Sequence, residues 1–194
     1  MFQDLDASLA ALVEAELGIT GVAVSFVGPD NDFPPASVSL PAISFFLYDI
    51  REDRDLRSGV WEVDRGAGTR QPPPARVSCS YLITAWPTDT APNPAEDEHR
   101  MLGELLKVLL RYRTIPTRYL QGELVGQEPP MPTRIMADNQ LTSLGEFWQA
   151  MGGRPKASLH YGVTLSFDVS EPVPAGPPVN ERIFSLTQKP DPAG

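Results

Sequence analysis

Apolar residues recur at steps of three and four in three stretches of the chain, which is the spacing of an amphipathic helix. The first stretch covers roughly the opening 17 residues and ends at Gly18. Its apolar stripe consists of Phe2, Leu5, Leu9, Leu12, Val13 and Leu17. A shorter stretch, residues 143–153, ends in two glycines. The pattern therefore predicts one helix at the N-terminus and a short helix ahead of the last strand.

The remaining helical stretch, residues 93–113, has the clearest start signal in the chain. Asn93 is a suitable N-cap, Pro94 suits the first helical position, and Glu96 completes a capping box. Apolar residues cover more than a third of its circumference: Met101, Leu102, Leu105, Leu106, Val108, Leu109 and Leu110. Since one sheet needs less apolar surface than this, we expect the helix to contact two neighbours, such as a sheet and another subunit.

Six further segments alternate apolar with polar residues or are densely apolar, as β-strands are. They comprise residues 21–27, 42–50, 60–65, 76–86, 133–137 and 158–167. The segment 42–50 is apolar on both faces, so we expect it near the middle of a sheet. Residues 60–65 and 76–86 are expected to form a hairpin with a long loop. The mixture of helices and strands predicts an α+β fold, with a mixed or antiparallel β-sheet flanked by helices.

The C-terminal part of the chain differs in composition from the rest. From Ser170 to Gly194 it carries six prolines and no helical period. We therefore expect a folded domain over residues 1–169 and an extended, Pro-rich arm over residues 170–194, which could span up to about 80 Å.

The charge balance limits the possible partners. Sixteen Lys and Arg against 25 Asp and Glu give a net charge of -9, which disfavours binding to nucleic acid or to an anionic membrane surface. No run of 18 apolar residues is present, and the N-terminus carries acids in place of a basic signal region. We expect a protein that is made in the cytoplasm and stays soluble.

Residues with catalytic or metal-binding potential are few and scattered. Cys79 is a single cysteine, expected to be a buried apolar residue more than a reactive thiol. His99 and His160 lack zinc-type spacing, and His160 is expected to face solvent or an interface. The acids at 96–98 suit the N-terminal end of a helix dipole. Since nucleophile and phosphate-binding motifs are also missing, we expect no catalytic residue, no metal and no cofactor.

Three long blocks of the chain resemble a known family. They are FFLYDIREDRDLRS at 45–58, PPPARVSCSYLITAWPTD at 72–89 with EDEHRMLGELLKVLLRY after it, and EFWQAMGGRPKASLHYGVTLSFDV at 146–169. In this order they resemble the cap proteins, or tube and sheath terminators, of phage-tail-like extracellular contractile injection systems of the virulence-cassette and antifeeding-prophage type.

The resemblance implies a phage tail-terminator-like domain and a structural role. It implies a ring of six copies, a hexamer, on the distal end of the inner tube, where the cap stops tube growth and links the tube protein to the sheath protein. It also implies a component of the injection particle and not an enzyme. The alternative is an assembly chaperone or adaptor that acts transiently on tube or sheath subunits.

Two sets of residues are candidates for these contacts. In the arm, Phe184 and Leu186 alternate with polar residues, and with Ile183 they form an apolar cluster that could add a strand to a sheath subunit's sheet. In the domain, the candidate ring interface consists of Arg51, Arg54, Arg57, Leu106, Leu109 and Leu110. The arginines alternate with acids, as in a solvated turn or a surface that recognises a partner.

Overall fold

The chain folds into two compact units, each with its own β-sheet. The computed structural model describes residues 1–29, 34–136, 143–152 and 155–176. The first unit comprises residues 1–57 and 74–168. The second comprises residues 58–73 and, among the described residues, 169–176.

The first unit contains all three described helices. Its elements are α1 (Phe2–Glu16), β1 (Ala23–Ser25), β2 (Ala42–Glu52), β5 (Ala75–Trp86), α2 (Pro94–Arg111), β6 (Thr133–Ile135), α3 (Leu144–Ala150) and β7 (Ser158–Phe167). Two single turns of 3-10 helix, Thr117–Tyr119 and Gly122–Leu124, follow α2. The second unit contains β3 (Glu62–Asp64), β4 (Thr69–Gln71) and β8 (Val173–Pro174).

The main sheet has the strand order β1-β2-β5-β7-β6. Only β1 and β2 run parallel, and the other neighbours are antiparallel. The α+β class and the mixed sheet with flanking helices predicted from the sequence are confirmed. The position of β2, inside the sheet and next to its centre, follows from a run that is apolar on both faces.

The predicted hairpin between residues 60–65 and 76–86 is wrong. Strand β3 pairs instead with β4, which lies in the stretch assigned to the loop, and β5 pairs with β2 and β7. A short turn connects β3 directly to β4. The Asp64 carboxylate accepts the N–H groups of Gly66 and Ala67 in this turn, and Gly68 supplies the positive φ that closes it. The twelve residues of β5 need two long neighbours to bury both faces, which an exposed three-residue strand cannot supply.

One face of the main sheet forms the core with α1 and α2. Odd-numbered residues of β5 and β7 point into it, as the alternation of the last strand predicted. The fully buried members include Leu5, Leu9, Phe45, Cys79, Tyr81, Ile83, Leu105, Val163 and Leu165. Cys79 is buried as expected, and burial raises the pKa of its thiol to about 12.

The start of α2 agrees with the sequence except in its capping bonds. Asn93 is the N-cap and Pro94 is the first helical residue, as predicted. The Asn93 side chain, however, donates from Nδ2 to the Glu96 carboxylate at 3.2 Å and accepts no backbone N–H. The capping box is therefore replaced by a bond between the two side chains.

The C-terminal residues begin with a strand. Val173 pairs with Arg70, so β8 extends the small sheet to the order β3-β4-β8. The apolar cluster Ile183, Phe184 and Leu186 lies outside the described residues.

Candidate assembly surfaces

The three leucines predicted for a ring interface differ in how much surface they offer. Leu109 is 1% exposed and belongs to the core, so its side chain has no surface left for a second copy. Leu106 is half-buried. Leu110 is 51% exposed, a high value for a large apolar side chain, whereas the other leucines of this helix are buried or half-buried.

Leu110 borders a groove between the end of α2 and strand β6. The groove encloses about 380 Å³. Its walls are Leu109, Leu110, Tyr112, Arg113, Thr133, Arg134 and Ile135. Apolar residues line it together with Arg113 of the helix side and Arg134 of the strand, so it could bind a segment that carries both an apolar and an acidic group.

The groove runs along an open edge of the main sheet, because β6 is the last strand on that side. The first residue of β6 is covered, since the Thr133 N–H donates to the Arg113 carbonyl at 2.8 Å and its hydroxyl donates to the Tyr112 carbonyl at 2.8 Å. The backbone N–H and C=O of Arg134 face β7, because Arg134 pairs with Gly162. The Met136 N–H also faces β7, since it donates to the His160 carbonyl. By alternation, the N–H and C=O of Ile135 face outward.

One carboxylate fixes the segment that forms the groove wall. Glu16, the last residue of α1, accepts hydrogen bonds from the phenols of Tyr112 and Tyr119 at 2.7 and 2.6 Å. It also pairs with Arg111 at 2.6 Å and Arg118 at 2.9 Å. The phenol bonds and the arginines lower the pKa of Glu16 to about 2. Four donors from both sides of the α2 terminus thus hold that terminus against α1.

The two arginines of the groove have no such carboxylate. Arg113 and Arg134 are exposed, and no acid lies within ion-pair distance of either in the part of the chain that the structure describes. With Arg111 and Arg118 nearby, they make this end of α2 basic on a protein whose net charge is -9. A surface of this kind favours an acidic partner.

The arginines predicted for the ring interface lie on a different element, at and beyond the end of β2. Arg51 pairs with Asp49 at 2.6 Å, and Arg57 lies 3.5 Å from Glu52. Arg54 is exposed. These three arginines therefore lie on a different element from Leu110.

Hydrogen bonds of Asp53 connect the turn that carries Arg54 and Arg57 to the main sheet. Asp53 is buried, and its carboxylate accepts the Leu56 N–H at 3.2 Å and the Thr164 hydroxyl at 3.0 Å. Its own N–H donates to the Arg76 carbonyl at 2.8 Å. These bonds tie the turn to β5 and β7, so its exposed arginines project from a fixed support.

The other face of the main sheet is partly covered by α3. Trp148 is buried there, and Phe147 contacts Phe46 with ring centroids 6.1 Å apart. His160, expected to face solvent or an interface, is half-buried on this face with Nδ1 3.4 Å from the Tyr48 hydroxyl. Burial lowers the pKa of His160, which favours the neutral ring.

The second unit presents an apolar face that the sequence did not predict. Val63, Arg70 and Val173 stand in one row across β3, β4 and β8. The Arg70 guanidinium stacks over Trp61 at 4.9 Å, and Val60, Trp61 and Val63 are all exposed.

The described residues form neither a metal-binding cluster nor a membrane-spanning helix. Over the described ranges, no three His, Cys, Asp or Glu side chains are grouped closely enough to hold a metal ion. None of the described helices has the length and apolar character needed to cross a bilayer.

The α2–β6 groove was not found by sequence reasoning because its parts are far apart in the chain. Arg113 follows the helix, whereas Arg134 lies in a three-residue strand, and hydrogen bonds between residues 112–114 and the start of that strand bring them together. Glu16 carries no signal in the sequence either, since its four donors come from residues 111–119.

Comparison with solved structures places this fold in the class of tube terminators. The sheath/tube terminator of PVC, an extracellular contractile injection system, in its extended state is similar with a TM-score of 0.68 and 28% identity, over 100% of this chain and 65% of that chain. The tube-terminating cap of the anti-feeding prophage is similar with a TM-score of 0.66 and 28% identity, over 96% of this chain and 62% of that chain.

The chain belongs to the family of the Pvc16 N-terminal domain, whose profile matches residues 4–181. The family expected from the sequence is thus confirmed. The chain spans less than two thirds of the length of either terminator. No curated protein matches it.

Proposed function

We propose that this chain forms the cap of a contractile injection particle, where it terminates the inner tube and connects it to the sheath. The observation that carries the proposal is the similarity of the whole fold, at 28% identity, to two structures described as a sheath/tube terminator and a tube-terminating cap. Identity at this level over all or nearly all of the chain supports a shared role as well as a shared fold.

A cap that closes a tube must match the tube's symmetry, so we propose that it acts as a ring, with six copies the number that the family resemblance implies. The surface features agree with self-association. An exposed leucine, an open strand edge and uncompensated arginines meet in one groove, and apolar groups with a charged rim are typical of protein interfaces.

The test is removal of the protein from cells that make the particles. Particles are purified from the deletion strain, and tube and sheath lengths are measured by negative-stain electron microscopy. We expect tubes or sheaths of uncontrolled length, or unstable particles, and recovery when the intact gene is supplied. A complementing copy with Arg65→Glu, an exposed change in the second unit, serves as a matched control. Particles of normal length and stability without the protein would contradict the proposal.

A further inference from the structure

We propose that the α2–β6 groove binds the exposed segment Asp168–Glu171 of a neighbouring copy, so that consecutive subunits join head to tail. The inference rests on the ring assembly proposed above and names the two surfaces that would form it. A contact between two different surfaces of the same chain can close into a ring, whereas a contact of one surface with itself stops at a dimer.

The groove requires a partner with a specific chemistry. Its outward N–H and C=O at Ile135 suit the backbone of an extended segment, which would add to β6 as another strand. The exposed Leu110 side chain suits one apolar group. Arg113 and Arg134, without an acid among the described residues, suit a carboxylate on each side of that group.

The segment that follows β7 has this chemistry. Val169 is 73% exposed, and Asp168, Ser170 and Glu171 beside it are exposed too. Neither a helix nor a strand is formed by these four residues, so their backbone is available for pairing. The exposed Val169 side chain matches the apolar part of the groove, and the acids on either side of it match the positive charge of the arginines.

The alternation of side chains along an extended strand determines which groove residue each side chain of the segment would contact. In an extended segment Val169 and Glu171 share one face, and Asp168 lies on the other. With Val169 beside Leu110 on the helix side, Glu171 reaches Arg113, and Asp168 reaches Arg134 on the far side of the strand. The two ion pairs would fix the register of the added strand.

Charge reversal and its rescue test the proposal in solution. Arg113→Glu with Arg134→Glu forms one variant, and Asp168→Lys with Glu171→Lys forms the other. Light scattering and native mass spectrometry over a concentration series at low salt give the self-association constant. We expect each variant alone to weaken self-association by about tenfold or more, and an equimolar mixture of the two to recover hetero-association, because reversed charges again face each other. Arg65→Glu is the control and should change nothing.

Cross-linking tests the same contact in the assembled particle. Arg134→Cys and Ser170→Cys are combined in one chain, where the buried Cys79 stays unreactive. A short bismaleimide should link subunits into a ladder, and neither single variant should do so. No ladder in capped particles, or reversal variants that associate like the parent chain, would overturn the groove proposal while leaving the cap function intact. Particles that assemble normally without this protein would contradict the proposed cap function. The self-association constants measured in solution would still test the groove contact.

Discussion

At the scale of single residues, the Glu16 side chain joins the end of α1 to the end of α2. Its carboxylate receives two phenol hydrogen bonds and pairs with two arginines, all from the last residue of α2 and the segment that follows it. A neutral replacement would leave those donors with a weaker acceptor, at the point where α1 holds the end of α2 in position. The consequence should be visible in how stability depends on pH.

Replacement of Glu16 by glutamine should lower stability in a pH-dependent way. The pKa of Glu16 is about 2 in the folded chain, against an ordinary value of 4.5. A lowered pKa stabilises the folded state fully above the unfolded pKa, and the stabilisation is lost as the pH falls from about 4.5 to about 2. The gap in unfolding free energy between the parent chain and Glu16→Gln, measured with urea, should therefore be largest near neutral pH and shrink over that range.

Glu14→Gln is the matched control, since Glu14 is exposed on the same helix. It should show little difference from the parent chain at any pH. A gap for Glu16→Gln that stays constant from pH 7 to pH 2 would mean that packing, and not charge, explains the role of Glu16.

At the scale of elements, α2 presents two different surfaces. Leu105 is fully buried in the core, whereas Leu110, less than two turns later, is half exposed beside the groove. The sequence predicted that this helix contacts two neighbours, and the exposure of Leu110 is the basis for assigning the second one.

Truncation of the two leucines should separate folding from assembly. Leu105→Ala removes core packing and should cost about 2 to 5 kcal/mol of unfolding free energy. Leu110→Ala removes an exposed group, so it should change the stability of the monomer by no more than about 0.5 kcal/mol and instead weaken self-association. Urea unfolding and light scattering give the two quantities. A large stability loss in Leu110→Ala would show that this residue belongs to the core.

Elements with a strong local pattern could be predicted from the sequence, and their partners could not. Strand β7 was predicted with its observed bounds because five apolar residues alternate without a break. Strand β4 has no apolar residue, so nothing in its sequence marks it as a strand. The pairing of strands and the α2–β6 groove depend on contacts between residues far apart in the chain, which periodicity does not report.

For the whole molecule, the C-terminal arm should be separable from the folded body. The described core residues lie between Leu5 and Leu165, and β8 ends at Pro174. Truncation after Gly176 should therefore leave the unfolding temperature and the ring unchanged, while it weakens binding of sheath protein because Ile183, Phe184 and Leu186 are removed. Pull-down of sheath protein by the full and truncated chains measures the effect.

Two substitutions in the full chain sharpen this prediction. Ser185→Pro removes a backbone donor in the middle of the cluster, and Phe184→Ala removes one side chain. If the segment adds a strand to the sheath, the proline should weaken binding more. Equal sheath binding by the truncated and full chains would show that the arm is not the contact.

The order of its strands along the chain determines when the small sheet can form during translation. Its strands β3 and β4 are adjacent in the chain, but the third strand, β8, comes after the entire remainder of the first unit. Since a ribosome adds about 5 to 20 residues per second, β8 emerges roughly 5 to 20 s after β4. A two-stranded ribbon is at best marginally stable in water. The small sheet therefore stays incomplete throughout that interval, and the second unit is completed only when translation of the first has finished.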